Sequence, residues 1–285
     1  MIKKVLIANR GEIALRIWRA CTELGVPSVV AFSEADRNSL PVKVAQEKIC
    51  IGPAPSLESY LNIPSILSAL EVTGCDAIHP GYGFLAENAS FAEICEDSGI
   101  TFIGPTAENI RLMGDKATAR RNAVEAGVPI LPGTLSPLKN KEEAVHLTRK
   151  IGFPVILKAA GGGGGRGMRI VRDAKELLPA LDACQSEALA AFDNPEVYLE
   201  KYVERPRHVE VQIMADNHKH VVALGERDCS LQRRYQKLVE EAPSPVVTPW
   251  MRRKICTYAR RLVKYIEYRS VGTVEFLMDN RLNIY

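Results

Sequence analysis

Five consecutive glycines, Gly161 to Gly165, followed by Arg166-Gly167, lie three residues after Lys158. Gly162, Gly164 and Gly167 formally satisfy G-x-G-x-x-G, but a dinucleotide site needs a strand before that motif and a helix directly after it. Here Met168-Arg169-Ile170-Val171 reads as a strand, so the loop joins two strands. No Gly-Lys-Ser/Thr closes it, which excludes a Walker A loop. What remains is a hairpin tip with many bare backbone N–H groups, free to fold over a polyphosphate. The competing reading, a floppy linker, would usually carry serine and separate domains. Lys158 ends an apolar strand, where an ammonium needs an anionic partner.

Three other groupings could do chemistry. From Arg207 to Met214 the residues alternate, with His208, Glu210 and Gln212 on one face and Val209, Val211 and Ile213 on the other. Taken alone, such alternation also describes a half-exposed strand. Arg233, Arg234 and Lys237 form a basic cluster followed by Glu240-Glu241, which in isolation reads as a solvated charge run. Glu275 and Leu277 share a face of the strand expected over Thr273 to Met278, setting a carboxylate beside an apolar surface.

The elements that must position these residues follow from periodicity. Lys4 to Ala8 is an apolar run, and Glu12 to Leu24 carries Ile13, Ile17, Ala20 and Leu24 at helical spacing before Gly25. Strands over Ser28 to Phe32, Asp76 to His79 and Thr101 to Ile103, with a helix over Asn88 to Glu96, imply βαβ units and a parallel sheet. Gly104-Pro105 closes this block, and a first domain is expected over residues 1–110. Thr106 to Gly127 reads as a helical region interrupted near Gly114. A smaller subdomain follows over about 130–200, within a second domain spanning 111–285. It holds a helix over Lys141 to Lys150, strands over Val155 to Ala159 and Met168 to Val171, and a helix over Asp173 to Ala190, for which Asp173 and Glu176 form a capping pair. From Val197 the pattern is strand-rich, broken by a helix over Thr248 to Ile266.

Composition narrows the function classes. With 46% hydrophobic and 25% charged residues the chain can bury a substantial core, and its net charge of +3 argues against nucleic acid as the main partner. The longest apolar runs, Val29 to Phe32 among them, are strand-sized, so no membrane helix is expected. Met-Ile-Lys-Lys leads straight into a strand with no signal-peptide pattern. Seven scattered cysteines without a Cys-x-x-Cys pair speak against a zinc or thioredoxin-like site and for buried thiols in the cytoplasm.

Five blocks taken together resemble biotin carboxylases: Val5 to Ala14, His79 to Asn88, Met113 to Lys116, Lys158 to Met168 and Arg227 to Lys237, all in the family's order. The family comprises stand-alone subunits and the matching domains of acetyl-, propionyl- and pyruvate-type carboxylases. The resemblance implies an α/β fold with a Rossmann-like N-terminal domain followed by an ATP-grasp domain. It implies ATP and magnesium (or manganese) as ligands, biotin as carrier-bound substrate, and a biotin carboxyl carrier protein and a carboxyltransferase as partners. A homodimer through the N-terminal domain is implied too, as family members often pair that way. Lys116 and Lys158 resemble the lysines on ATP phosphates, and Gly163, Gly164 and Gly165 the lid over them. Glu200, Lys201, Tyr202 and Val203 resemble the segment that reads the adenine edge, with Leu277 as an apolar contact. His208 and Gln232 are placed by resemblance near the ribose. So is Tyr235, which stands where the family commonly has histidine and puts that contact's detail in doubt. Lys237 resembles the bicarbonate-binding residue, Glu210 lines the reaction site, and Glu275 matches a magnesium ligand. Asp279-Asn280-Arg281 is expected to start a return strand over Leu282 to Tyr285. The family's second magnesium-binding glutamate, an asparagine, an arginine and the catalytic glutamate lie beyond Tyr285. The resemblance therefore implies a truncated chain, inactive alone. Two rivals stand beside it, another carboxyphosphate-forming ATP-grasp ligase and a nucleotide-binding or assembly fragment without turnover.

Overall fold

A computed structural model describes residues 2–114, 116–160, 167–233 and 236–285, without the side chains of Lys116 and Phe192. The chain divides into two compact units, Met1–Gly114 with Tyr268–Ser270, and Asp115–Glu267 with Val271–Tyr285.

The first unit runs β1 (Val5–Ile7), α1 (Gly11–Glu23), β2 (Ser28–Ser33), α2 (Leu40–Val44), β3 (Glu47–Gly52), α3 (Ile63–Thr73), β4 (Ala77–His79), α4 (Ala89–Asp97), β5 (Thr101–Phe102) and α5 (Ala107–Gly114). Its five strands form a parallel sheet in the order β3-β2-β1-β4-β5. Alternate residues feed two cores, because successive side chains leave opposite faces of a strand. Val5, Ile7, Val30, Phe32 and Ala77 pack with Ala14, Ile17 and Cys21 of α1. Leu6, Val29, Ala31 and Ile78 pack with Ile66 and Leu70 of α3 and Phe91 and Cys95 of α4. Burial on both faces explains why these strands are continuously apolar rather than alternating. Asn62 and Asn88 cap α3 and α4, accepting hydrogen bonds from Ser65 N and Phe91 N. At the carboxyl ends of the strands, buried Asn9 donates to Pro80 O at 2.6 Å and Tyr82 O at 2.8 Å, tying the ends of β1 and β4 together.

The second unit contains α6 (Lys116–Glu125), α7 (Lys141–Ile151), β6 (Val155–Ala159), β7 (Met168–Val171), α8 (Ala174–Phe192), β8 (Val197–Lys201), β9 (Arg207–Ala215), β10 (Val221–Arg233), β11 (Gln236–Glu241), α9 (Pro249–Tyr265) and β12 (Ser270–Met278). Strands β7-β6-β8 form an antiparallel sheet whose Val155, Leu157, Val171 and Leu199 pack with Ala144 of α7 and with Leu177, Leu181 and Cys184 of α8. Strands β11-β10-β9-β12 form the other sheet, and α9 packs on β9 and β10. A parallel α/β unit followed by these two sheets is the fold class expected from the sequence. Among the described residues, no helix is long and apolar enough to cross a membrane.

Two local expectations need correction. Asp173 does cap α8, accepting from Lys175 N and Glu176 N, but Glu176 reaches back to Arg172 N rather than Asp173 N, so the reciprocal bond is displaced by one residue. The return strand does pair back antiparallel, but over Asn283 to Tyr285 rather than from Leu282. Leu277 and Tyr285 exchange backbone hydrogen bonds at 2.9 Å, Met278 bridges Ile284, and Asp279 N donates to Asn283 O at 3.1 Å. Asp279 draws the backbone into a turn by accepting from Arg281 N and Asn283 N, and Leu282 sits at φ +63°, which breaks the extended conformation.

Candidate active site

The first polar cluster lies on the β7-β6-β8 sheet. Register pairs Lys158 with Tyr198 and Ile156 with Glu200, which puts Lys158 and Glu200 on one face. The Lys158 ammonium lies 2.5 Å from a Glu200 carboxylate oxygen, and Arg120 of α6 approaches the other oxygen at 3.2 Å. Glu200 itself is buried. The anion that Lys158 needs at the end of an apolar strand is thus supplied within the chain, which holds the ammonium at the mouth of the strand. Just beyond, Lys201 donates its side chain to Gly152 O and Phe153 O. The backbone N–H groups of Lys201 and Tyr202 are taken by Pro132 O and Pro154 O, and Val203 follows half-buried.

Close approach makes Gly133 part of this cluster. A Cβ there would sit 2.5 Å from Leu199 O and 2.9 Å from the Glu200 Cα. Gly133→Ala is expected to cost about 2 kcal/mol by forcing β8 aside, seen as a melting temperature lower by about 5 °C. No loss on a calorimetric scan would mean that the segment gives way freely.

The second cluster lies on the β11-β10-β9-β12 sheet. The alternation of β9 sends Val209, Val211 and Ile213 into the core and Glu210 into a polar cluster beneath two cations. Arg227 of β10, directly opposite in register, donates Nε to Glu210 at 2.7 Å and Nη1 to Gln212 at 3.0 Å. Lys237 of β11 donates to Glu210 and, at 2.8 Å, to Glu275 of β12. His208 joins Glu275 at 3.5 Å through Nε2, while its Nδ1 meets Gln232 Nε2 at 2.8 Å. Strands β10 and β11 therefore set two cations on the Glu210 carboxylate of β9, which is only 3% exposed, and β12 joins through Glu275 on Lys237.

Burial by itself would raise the Glu210 carboxyl, but the hydrogen bonds from Lys237 and Arg227 outweigh it and hold the group below the ordinary carboxylate range. Burial would likewise lower the Lys237 ammonium, and the bonds to Glu210 and Glu275 reverse that and keep it firmly charged. The hydrogen bond from His208, opposed by burial and helped by Lys237, brings Glu275 down to about 2. An ammonium has three donors. Two of those on Lys237 serve carboxylates, which leaves the third for an anion.

A hard cation would find its ligand in Glu275. Its carboxylate is half exposed and ionised at every pH well above 2, which suits magnesium shared with phosphate and water oxygens. Glu210, Cys229 and Glu240 bring ligand atoms within 4.8 Å of one another, yet they make a poor metal site. Glu210 is bonded through both oxygens to Arg227 and Lys237 and only 3% exposed, so a cation cannot reach it, whereas Glu275, though it too meets Lys237 and His208, is open to solvent. Burial, and then the charge of Glu210, raises the Cys229 thiol to about 11, so it stays protonated.

Of the residues singled out from the sequence, the structure gathers His208, Glu210, Gln232, Lys237 and Glu275 in one cluster and Lys158 with Glu200 in another. Leu277 lies on β12, two residues from Glu275 and half-buried. Gly163, Gly164, Gly165 and Tyr235 fall outside the described residues, as does the side chain of Lys116. Strands β6 and β7 do pair antiparallel, so the glycine run joins two strands as expected. Sequence reasoning missed Arg120 and Arg227. Nothing local marks Arg120, whereas Arg227 opens the quoted Arg227 to Lys237 block and could have been matched to Glu210 had the β9–β10 register been known.

Residues 1–110 match the family described as biotin carboxylase, N-terminal domain, and residues 115–285 match the carbamoyl-phosphate synthase L chain, ATP binding domain. A biotin carboxylase of Haemophilus influenzae is 57% identical over 98% of this chain. The chain spans 63% of that relative's length. The crystal structure of a biotin carboxylase–β-γ-ATP complex from Campylobacter jejuni superposes with a TM-score of 0.93 at 49% identity, covering 100% of this chain and 64% of the other. The biotin carboxylase domain of Hydrogenobacter thermophilus 2-oxoglutarate carboxylase, in complex with MgADP and bicarbonate, gives 0.90 at 49% identity, covering 100% and 63%.

Proposed function

Because this chain belongs to the biotin carboxylase family, its second part being the ATP-binding domain shared with the carbamoyl-phosphate synthase L chain, we propose that it forms the nucleotide- and bicarbonate-binding part of an enzyme that carboxylates biotin. The observation that carries this reading is Lys237, held charged by Glu210 and Glu275 with a donor to spare for a small anion. Bicarbonate on Lys237 would attack the γ-phosphorus of ATP, and the bond to the ADP oxygen would break, giving carboxyphosphate. Lys158 and Lys116 draw the phosphates in, and Gly163, Gly164 and Gly165 close over them to exclude water. Glu200, Lys201, Tyr202, Val203 and Leu277 bound the adenine, and His208, Gln232 and Tyr235 the ribose. Magnesium, when bound at Glu275, supplies neutralisation of phosphate charge. Carboxyphosphate then yields CO2 and phosphate beside the biotin ureido nitrogen, which would pass its proton to that phosphate and form the bond to the CO2 carbon. Glu210 keeps Lys237 and Arg227 in place throughout.

The partners belong to the same proposal: a carrier protein bearing biotin, a carboxyltransferase that uses the product, as in acetyl-CoA carboxylase, and a second copy through the first unit. The cytoplasm is the proposed compartment, supported by seven unpaired thiols. The test is ADP release from MgATP, with and without bicarbonate and free biotin. It is run on this chain and on one extended by the further residues its relatives carry. Release by the extended chain that needs both substrates is the expected result. Release indifferent to biotin would point to another carboxyphosphate-forming ligase, and binding of ATP without release in either chain to a module without turnover.

A further inference from the structure

Helix α9 spends its apolar face on the sheet, burying Met251, Ile255, Ala259, Leu262 and Val263. Its outer face is strongly basic. Six basic residues and no acidic one lie in these 17 residues, so on a total of +3 the rest of the chain is net acidic at −3. Arg252 is accounted for by a bidentate pair with buried Glu226. Lys254 stands over the rings of Trp250 and Tyr258, at 5.0 and 5.8 Å from their centroids. Arg253, Arg260, Arg261 and Lys264 are exposed, and among the described residues none of them has a carboxylate partner.

Helix stability does not explain that arrangement. The helix dipole favours a cation only in the last turn, where Lys264 stands, and gives nothing to Arg253 or Lys254. Arg260 and Lys264 at i,i+4, and Arg261 and Lys264 at i,i+3, are like-charge neighbours that destabilise a helix. Each like-charge pair costs a few tenths of a kcal/mol, and a bound anion would offset it. The four exposed cations line about 17 Å of helix, from Arg253 to Lys264. The stripe is short and the rest of the chain carries a net negative charge. Long polyanions and anionic membranes, which need an extended positive field, fit it less well than a short acidic segment does.

We propose that the outer face of α9 is a docking surface for an acidic protein segment, a helix whose Asp and Glu side chains repeat every three to four residues. Binding there needs neither nucleotide nor bicarbonate, so it stands or falls apart from the carboxylation chemistry.

The probe is a fluorescein-labelled, glutamate-rich helical peptide of about 16 residues, followed by anisotropy without nucleotide. Micromolar binding at about 50 mM NaCl that weakens about tenfold or more at about 300 mM is expected. The reversal R253E/R261E/K264E should abolish it. The equal reversal R149E/K150E/K175E, on exposed sites elsewhere, should not. R253Q/R261Q/K264Q guards against misfolding, since removing like charges should leave the melting temperature unchanged or higher while binding falls at least tenfold. Equal binding by the α9 variants, or equal loss in the control, overturns the proposal. So does tighter binding of an oligonucleotide or of phosphatidylglycerol vesicles than of the peptide.

Discussion

Glu210→Ala should remove about 3 kcal/mol or more of stability, seen as a melting temperature lower by about 10 °C on a calorimetric scan. The carboxylate is buried and accepts from Arg227 and Lys237 at once. Deleting it leaves Lys237 with Glu275 alone and Arg227 with Glu240 at 3.6 Å, both more exposed carboxylates, so two part-buried cations lose the one buried charge they share. The ammonium of Lys237, whose high affinity for its proton rests on Glu210 and Glu275, should release it more readily in this variant. Glu210→Gln keeps the shape and one acceptor but not the charge, so it should fall between. Lys237→Met removes one cation and leaves Arg227 on Glu210, and should cost less than Glu210→Ala. If alanine at 210 proves neutral, Arg227 and Lys237 are solvated well enough to need no partner, and the electrostatic account of this cluster fails.

Much of this site was legible because it rests on period two. His208, Glu210 and Gln212 were placed on one face of a strand, opposite Val209, Val211 and Ile213, and they lie there. The depth of Glu210 was not legible. It depends on Arg227 facing it across β10, a pairing set by a register that shifts between Ala223 and Gly225. Such a shift leaves no local sequence mark. The basic run containing Lys237 reads equally well as a solvated face until Glu210 and Glu275 are seen to bracket it. In the first unit the buried strands β1, β2 and β4 were found as apolar runs. Strand β3 was missed because Glu47, Lys48 and Cys50 face solvent at the sheet edge, so no continuous apolar run remains. The return strand was placed one residue early, because the backbone bonds drawn by Asp279 turn Leu282 out of the extended conformation before Asn283 to Tyr285 pair back. Pattern finds what is buried along a strand, and cross-strand partners decide what is charged there.

Acid should weaken the chain in two separable steps, the first and larger of them set by His79. Burial lowers this imidazole to about 4 from its ordinary 6.5. Its Nδ1 also accepts a hydrogen bond from Gly81 N at 3.1 Å, which only the neutral ring can do. The folded value lies below the unfolded one, so the unfolded state binds the proton first as pH falls. The stabilisation is complete above pH 6.5 and is lost between 6.5 and about 4, amounting to about 3 kcal/mol. Glu275 acts lower. Its folded value of about 2, against an ordinary 4.5, gives stabilisation that is present above 4.5 and lost as pH falls toward 2. Half its side chain is exposed, so water screens the ion pairs and its share is about 1 kcal/mol or less. Urea unfolding across pH 7 to 3 should therefore show a fall beginning near 6.5 in the wild type. His79→Asn, which can still offer an acceptor oxygen to Gly81, should flatten that upper window and leave the lower one intact. Glu275→Gln should leave the upper window intact and remove only its own share from the lower one, where Glu210, Glu226 and Asp228, whose carboxyls are also held low, continue to contribute. A wild-type profile level from pH 7 down to 5 would mean that His79 takes up its proton in the folded state without penalty, through an opening of the β4 end that Asn9 otherwise holds shut.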